Sequence, residues 1–356
     1  MNNLIDFDYV NKKDKELCEL FILSTTIKKY ILGINKFTKS ISKQIKVDGI
    51  IDDFTRVQNS RKKDILKIED IPKNSIILST ASGSPLEVKN RLDEMGFKNF
   101  NYLSLYIYTN LKLPNPAFIM DFEDDYKQNI KQYSDVYELL ADEESKRIFE
   151  KVLNFKISFD YKFMAGFTNN FEAQYFDKGI VPNIKNITFL DGGGYVGDTL
   201  PSIIKNYPDF KKIYMIEPSL LHINIAKKNF KHIENIDFIN CGLGSKEVKI
   251  DENEDDNNCN HNFQAQNINT IDNIVSTKID FIKLDIEGAE QDTIDGAINT
   301  IKNDKPILAI CIYHKAEDWY KIPQKVLAIN SDYEIYLRHY MEGIFETVMY
   351  FIPKSK

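Results

Sequence analysis

The sequence predicts an α/β protein of two domains, the second built on a mostly parallel sheet that ends in an antiparallel hairpin. Three observations predict it. Short apolar runs alternate with helix-length spacers through most of the chain. The 356 residues exceed one average domain. The last two apolar runs, Tyr333–Leu337 and Glu346–Phe351, lack a helix-length spacer and read as a hairpin.

Composition narrows the partners. Hydrophobic content of 43% suffices for packed cores, and 28% charged residues fit a water-facing surface. The net charge of −7, with no long basic cluster, argues against nucleic acid. Cys18, Cys241, Cys259 and Cys311 are widely spaced and form no Cys-x-x-Cys pair, which points to a reducing compartment. The start of the chain carries Asp6 and Asp8 rather than a basic stretch before an apolar core, so it does not read as a signal peptide. The apolar run Leu20 to Leu32 is broken by Lys28 and Lys29 and is too short for a membrane span. A cytoplasmic location is expected.

Residues 1–113 read as a small α/β domain. A helix over 15–27 leads to a strand at Tyr30–Ile34, a helix at Asn35–Lys46 and a strand at Val47–Ile51. A third strand follows at Ser75–Ser79, then a helix at Leu86–Met95 closed by Gly96, and a fourth strand at Phe100–Leu103. Its first turn holds only Gly33, so Asp52 and Asp53 are weak candidates for gripping a ribose, and an interaction domain is the favoured reading.

Residues 114–181 form a helical and aromatic connector. Ser134 and Asp135 read as helix caps, Asp142 to Arg147 as a solvated helix face, and Phe167–Phe176 as a segment that packs on the second domain or roofs its cleft. That second domain occupies 182–356. Strands are expected at Ile187–Leu190, Ile213–Ile216, Ile236–Ile239, Phe281–Leu284 and Ile307–Ile312, followed by the hairpin. Asp251 to Asn262, acidic and Asn-rich, reads as a surface loop.

Chemistry concentrates at the strand ends. The first strand closes in Asp191-Gly192-Gly193-Gly194-Tyr195-Val196-Gly197-Asp198-Thr199, where glycines bare the backbone before a helix. Gly192-x-Gly194-x-x-Gly197, with Glu217 about 20 residues on, formally matches a dinucleotide fingerprint. A nicotinamide-dependent oxidoreductase is therefore one reading. Asp191 weighs against it, since a carboxylate beside the first glycine repels a pyrophosphate but accepts from the ammonium of S-adenosylmethionine. Glu217-Pro218-Ser219 repeats the design one strand later, with Glu217 placed to hold two ribose hydroxyls and Pro218 opening a helix. Asn240-Cys241-Gly242 ends the third strand near an adenine. Five parallel strands with such ends and a terminal hairpin are the plan of a class I, Rossmann-like methyltransferase domain.

The fourth strand ends in Ile282-Lys283-Leu284-Asp285-Ile286-Glu287-Gly288-Ala289-Glu290. With that signature, and with Tyr313-His314-Lys315, Arg338-His339 and Glu346-Thr347 in the tail, residues 171–356 resemble the FkbM-type methyltransferases that use S-adenosylmethionine. The N-terminal half resembles, weakly, the degenerate nucleotide-fold domains sometimes fused ahead of that family. The resemblance implies O-methyl transfer to a sugar, a nucleotide-sugar or another hydroxylated metabolite. Such a transfer needs alignment of the acceptor oxygen and a base for its proton. His314 is the first candidate base and Asp285 and Glu287 are the next, with Asp285 equally placed to hold cofactor or substrate. Tyr313, Lys315, Arg338 and His339 are candidates for the acceptor, the last three as a cationic wall. A divalent ion on Asp285, Glu287 and Glu290 is a minor alternative, and no metal is expected; His222, His232 and His261 read as surface residues. A non-catalytic module that keeps the cofactor pocket is the other alternative.

Overall fold

The computed structural model describes residues 4–52, 65–249 and 267–354. Asp53 and the stretch Asp251 to Asn262, with Cys259 and His261, lie outside them. The chain forms two compact units. One comprises Met1–Glu123, Phe149–Asn169 and Met341–Phe345; the other comprises Asp124–Ile148, Asn170–Tyr340 and Glu346–Lys356.

The first unit runs α1 (Lys12–Leu23), β1 (Lys29–Leu32), α2 (Lys36–Ile41), β2 (Gly49–Ile51), β3 (Ile65–Leu66), β4 (Ile76–Ser79), α3 (Pro85–Glu94), β5 (Lys98–Asn101) and α4 (Tyr102–Tyr108). Its five strands pair in the order β3-β2-β1-β4-β5, all parallel. Local chemistry sets the boundaries. The Asn35 side chain accepts from the backbone N–H groups of Phe37 and Thr38 and starts α2. Asn101 does the same for Ser104. That cap moves the expected fourth strand two residues toward the N-terminus and opens α4, which the apolar pattern did not reveal. The short edge strand β3 was also not anticipated.

Two helices follow, α5 (Phe122–Leu139) and α6 (Glu143–Ser158). Ser134 and Asp135 lie inside α5 rather than capping it; the helix is interrupted instead at Asn129, whose φ is −124°. Then follow β6 (Thr188–Gly192), α7 (Leu200–Asn206), β7 (Lys212–Ile216), α8 (Leu220–Phe230), β8 (Ile236–Ile239), β9 (Gly242–Leu243), β10 (Val248–Lys249) and β11 (Asn267–Asn269). The chain continues through α9 (Ile271–Ile274), β12 (Phe281–Leu284), α10 (Glu290–Asp295), α11 (Ile298–Asp304), β13 (Ile307–Cys311), α12 (Asp318–Ile329), β14 (Tyr333–His339) and β15 (Thr347–Pro353).

The main sheet has the order β14-β15-β13-β12-β6-β7-β8. β13, β12, β6, β7 and β8 are parallel, and β15 pairs antiparallel with both β13 and β14. This is the class I methyltransferase plan. The central strands β6, β12 and β13 are buried at every residue, as unbroken apolar runs in a covered parallel sheet require. The edge strand β14 alternates instead. β15 starts at Thr347 rather than Glu346, because Glu346 has a left-handed backbone, φ +65°, incompatible with a strand. A small sheet, β10-β11-β9, was not foreseen.

Phe189 and Phe281 are both 0% exposed and stack across β6 and β12 with ring centres 4.6 Å apart. Phe176 approaches both rings, at 6.2 and 6.5 Å, which places the aromatic connector on this sheet. No helix among the described residues is long and apolar enough to cross a membrane. Phe189→Ala should cost about 3–5 kcal/mol in equilibrium urea denaturation; a loss below about 1 kcal/mol would mean that this stack is not central to the core.

Candidate active site

The site assembles where β6, β7, β12 and β13 end. In a doubly wound sheet those ends share one edge, and the loops leaving them surround a crevice. The first turn is tight for a measurable reason. Gly193 has φ +76°, and a Cβ there would lie 1.8 Å from the Asp285 carbonyl oxygen. The N–H groups of Gly193 and Gly194 both bond to the Ile216 carbonyl at 3.0 Å, fixing the turn to β7. Gly197, with φ +85°, closes it by donating to Gly194 O at 2.8 Å. Tyr195 stands between them, half exposed, with φ +43°.

Asp191 is wholly buried and faces a cation inside the protein. Lys283 Nζ lies 2.9 Å from Asp191 Oδ1, with side-chain exposures of 2% and 0%. The same ammonium donates to the carbonyls of Gly192 (3.1 Å) and Gly193 (2.9 Å). Burial works against the charge on Lys283, but Asp191 and Asp285 outweigh it and hold its pKa above the ordinary lysine value. The charge argument that assigned Asp191 to an ammonium of the ligand thus meets a lysine that already supplies one. A lone lysine in an otherwise apolar strand is the sequence signal for this pair.

Glu217 sits at the end of β7, 6% exposed. Its two oxygens accept from the N–H groups of Tyr195 (3.1 Å) and Ser219 (2.9 Å). His222, expected at the surface, instead places Nδ1 3.2 Å from Glu217 Oε1, with its ring edge-on to Tyr195 at 4.4 Å. Asn240 donates to the carbonyls of Glu217 and Pro218 at 3.0 and 2.8 Å, so it braces the loop. Cys241 is buried, and burial pushes its thiol up to about 11. Asp198 is exposed, and Thr199 precedes α7 without a side-chain cap bond.

Across the crevice, Asp285 accepts from two tyrosines, Tyr313 on Oδ1 (3.0 Å) and Tyr175 on Oδ2 (3.1 Å). Tyr175 comes from the aromatic connector, with φ +68°, and its hydroxyl also lies 3.4 Å from Cys311 Sγ and accepts from Gln174. Gln174 donates in turn to Glu346, whose carboxyl is raised to about 7 by burial and by Asp285. Asp285, Cys311 and Glu346 bring ligand-capable atoms within 4.8 Å of one another. Because tyrosine and glutamine already engage them, the set reads as a hydrogen-bonded cluster. The sequence reading placed Gln174 and Tyr175 in a segment over the second domain and Glu346 in the tail pattern, but only the fold brings the three to Asp285.

His314 is buried with its ring nitrogens toward three carboxylates. Nδ1 is 3.0 Å from Glu290, and Nε2 is 3.5 Å from Asp285 and 3.8 Å from Glu287. Glu287 is the open member, with its side chain 75% exposed and φ +56°. Tyr175, Tyr195, Glu287 and Glu346 are all left-handed non-glycine residues at this sheet end, a concentration of strain of about 1–3 kcal/mol each.

The expected cationic wall is mostly absent. Arg338 bonds to Asp142 at 2.7 Å and to Ser145 at 2.9 Å, and sits 3.5 Å from Asp177. Its guanidinium is spent on joining β14 to Asp142 and the first turn of α6, so Asp142 is a partner rather than part of a solvated face. His339 is buried against Thr347 at 2.9 Å. Lys315 is exposed and donates to the Gly288 carbonyl. Of the three cations, it alone remains at the crevice.

Residues 191–335 match the model of the Methyltransferase FkbM domain. The structure is similar to that of a methyltransferase FkbM from Methylobacillus flagellatus, with a TM-score of 0.76 and 21% identity over 96% of this chain and 94% of that one. A putative rRNA-methylase from Clostridium thermocellum (TM-score 0.36, 10% identity, 51% of this chain and 93% of that one) is too distant to add to the argument. The same holds for an Aeropyrum pernix fibrillarin with natively bound S-adenosylmethionine (TM-score 0.33, 14% identity, 48% and 69%). No curated protein matches the sequence. The chain thus carries a methyltransferase domain over 191–335. The residues present fit S-adenosylmethionine as donor: a bared glycine turn, a carboxylate one strand on, and, among the described residues, a turn whose nearby cation, Lys283, is neutralised by Asp191.

Lys283→Met should destabilise the protein by about 3–5 kcal/mol, because it leaves Asp191 charged and unpaired in the core. The double variant Lys283→Met/Asp191→Leu should regain most of that loss in the same denaturation experiment. A single variant as stable as the wild type would remove the pair from its structural role.

Proposed function

We propose, for a chain whose residues 191–335 are a methyltransferase domain, that it methylates a hydroxyl of a sugar, a nucleotide-sugar or a related small metabolite in the cytoplasm. The observation that carries this reading is the acidic, hydrogen-bonding rim at Asp285 and Glu287, which faces the glycine turn across the crevice. Carboxylates accept from hydroxyl groups and pair poorly with a phosphate-rich polymer. With Arg338 and His339 committed elsewhere, support falls on the neutral hydroxylated part of the acceptor, and Lys315 is the cation left for any anionic part.

The roles divide by strand. Bound S-adenosylmethionine supplies an electrophilic methyl group on a sulfonium, which needs no further activation. Gly192, Gly193, Gly194 and Gly197 let the backbone approach it, with Asp191 and Lys283 stiffening the turn behind. Glu217 keeps lone pairs for a ribose while two backbone N–H groups hold its orientation. Tyr195 and Ser219 border that side, with Pro218, Asn240 and Cys241 behind. Asp285, oriented by Tyr313 and Tyr175, lies between donor and acceptor sides. Deprotonation of the acceptor oxygen draws on the cluster of His314, Asp285 and Glu287, and alignment accounts for much of the rate.

The test is to incubate cell extract with the enzyme and deuteromethyl-labelled S-adenosylmethionine and to search for labelled products by mass spectrometry. A hydroxylated metabolite carrying the label on oxygen is the expected product; label only on nitrogen, carbon or nucleic acid would overturn the reading. Glu217→Ala should weaken S-adenosylhomocysteine binding by at least about tenfold in calorimetry, equal to ~1.4 kcal/mol. Unchanged affinity would take the ribose role from Glu217.

A further inference from the structure

Both ring nitrogens of His314 face groups that only accept hydrogen bonds. Nδ1 lies 3.0 Å from Glu290 Oε1, and Nε2 lies 3.5 Å from Asp285 Oδ1 with Glu287 Oε2 at 3.8 Å. An ionised carboxylate donates nothing, so the 3.0 Å contact at Nδ1 calls for an N–H there, while the longer contacts at Nε2 act through charge and favour a second proton on the ring. A neutral imidazole has one N–H, and an imidazolium has two.

The alternative, a protonated Asp285 donating to a neutral ring, conflicts with its surroundings. Both Asp285 oxygens already receive hydroxyl donors, Tyr313 on one and Tyr175 on the other. Glu290 is equally committed. Its side chain is 0% exposed, and Oε1 also accepts from the Ile286 N–H at 3.0 Å. The His314 side chain is 1% exposed, so carboxylates rather than bulk water surround the ring.

We propose that His314 is an imidazolium held by Glu290, a positioning cation that fixes Asp285 rather than the base of the transfer. This rests on the methyl-transfer reading and refines it, because proton acceptance then passes to a carboxylate. The chain Glu290–His314–Asp285 ties α10 to the strand end that faces the donor, and Glu287 remains at the open rim.

The wider field is consistent. Asp318 on α12 and Glu346 before β15 are further acidic groups near the ring, and Lys315, next in the chain, is engaged by the Gly288 carbonyl. Burial opposes the charge on His314, but Glu290, Asp285 and Glu287 outweigh it and raise its pKa.

The test uses full-length protein labelled with ¹⁵N-histidine; there are five histidines, and His314 is identified by the signal missing from His314→Gln. At pH 7.5 the wild-type two-bond ¹H–¹⁵N spectrum should show both His314 nitrogens protonated. Glu290→Gln should lower the His314 titration midpoint by at least about one pH unit. One protonated and one bare nitrogen in the wild type would overturn the proposal, and that spectrum needs no variant other than the one used for assignment. A charged His314 whose midpoint is unmoved in Glu290→Gln would overturn the part given to Glu290. Calorimetry with S-adenosylhomocysteine separates the two readings: a protein with charged His314 that binds no such ligand refutes the donor reading and leaves only the imidazolium and its hold by Glu290 standing.

Discussion

The buried contact between Lys283 and Asp191 is the constraint on which the second unit depends. The two residues are register partners on the central strands β12 and β6. Neither charge is tolerable alone in a core, and together they are neutral and well bonded. The lysine does more than neutralise: by donating to Gly192 and Gly193 it draws the glycine turn toward β12. Gly193 can then rest against the Asp285 backbone at a distance that no side chain permits. One ion pair therefore sets the spacing between the glycine turn and the strand end that carries Asp285.

From that spacing the rest of the crevice follows. Asp285 is held by tyrosines from two directions, one from β13's exit and one from the connector ahead of β6. The connector is fastened by Phe176 on the Phe189–Phe281 stack and by the Tyr175 N–H on the Tyr350 hydroxyl at 3.0 Å. The left-handed backbones at Tyr175 and Glu346 are held by hydrogen bonds to Tyr350, Asp285 and Gln174, whereas those at Tyr195 and Glu287 stand at the open rim. The site is thus rigid behind and open at Glu287 and Tyr195, as positioning chemistry requires.

Much of this was legible in the sequence, and the reason is periodicity. Fully buried parallel strands need unbroken apolar runs, and β6, β7, β12 and β13 show them to within a residue or two. Glycines that bare a backbone, and acids that end strands, are visible because few other contexts favour them. Arg338 and His339 show the opposite case. A cation near a strand end looks identical in sequence whether it faces a ligand or Asp142, and only packing distinguishes the two. His222 was likewise indistinguishable from a surface histidine until Glu217 came within reach.

The sequence by itself determined the α/β plan, the parallel sheet with its closing hairpin, and the strand ends that carry the chemistry. Those features are local: they depend on burial patterns and backbone freedom within a few residues. The tertiary structure alone decided which charges are paired. It gave Asp191 to Lys283, His314 to Glu290, and Asp285 to two tyrosines far away in the chain. Partner choice is set by distance in space and by desolvation, and neither has a signature in the spacing of residues along a chain.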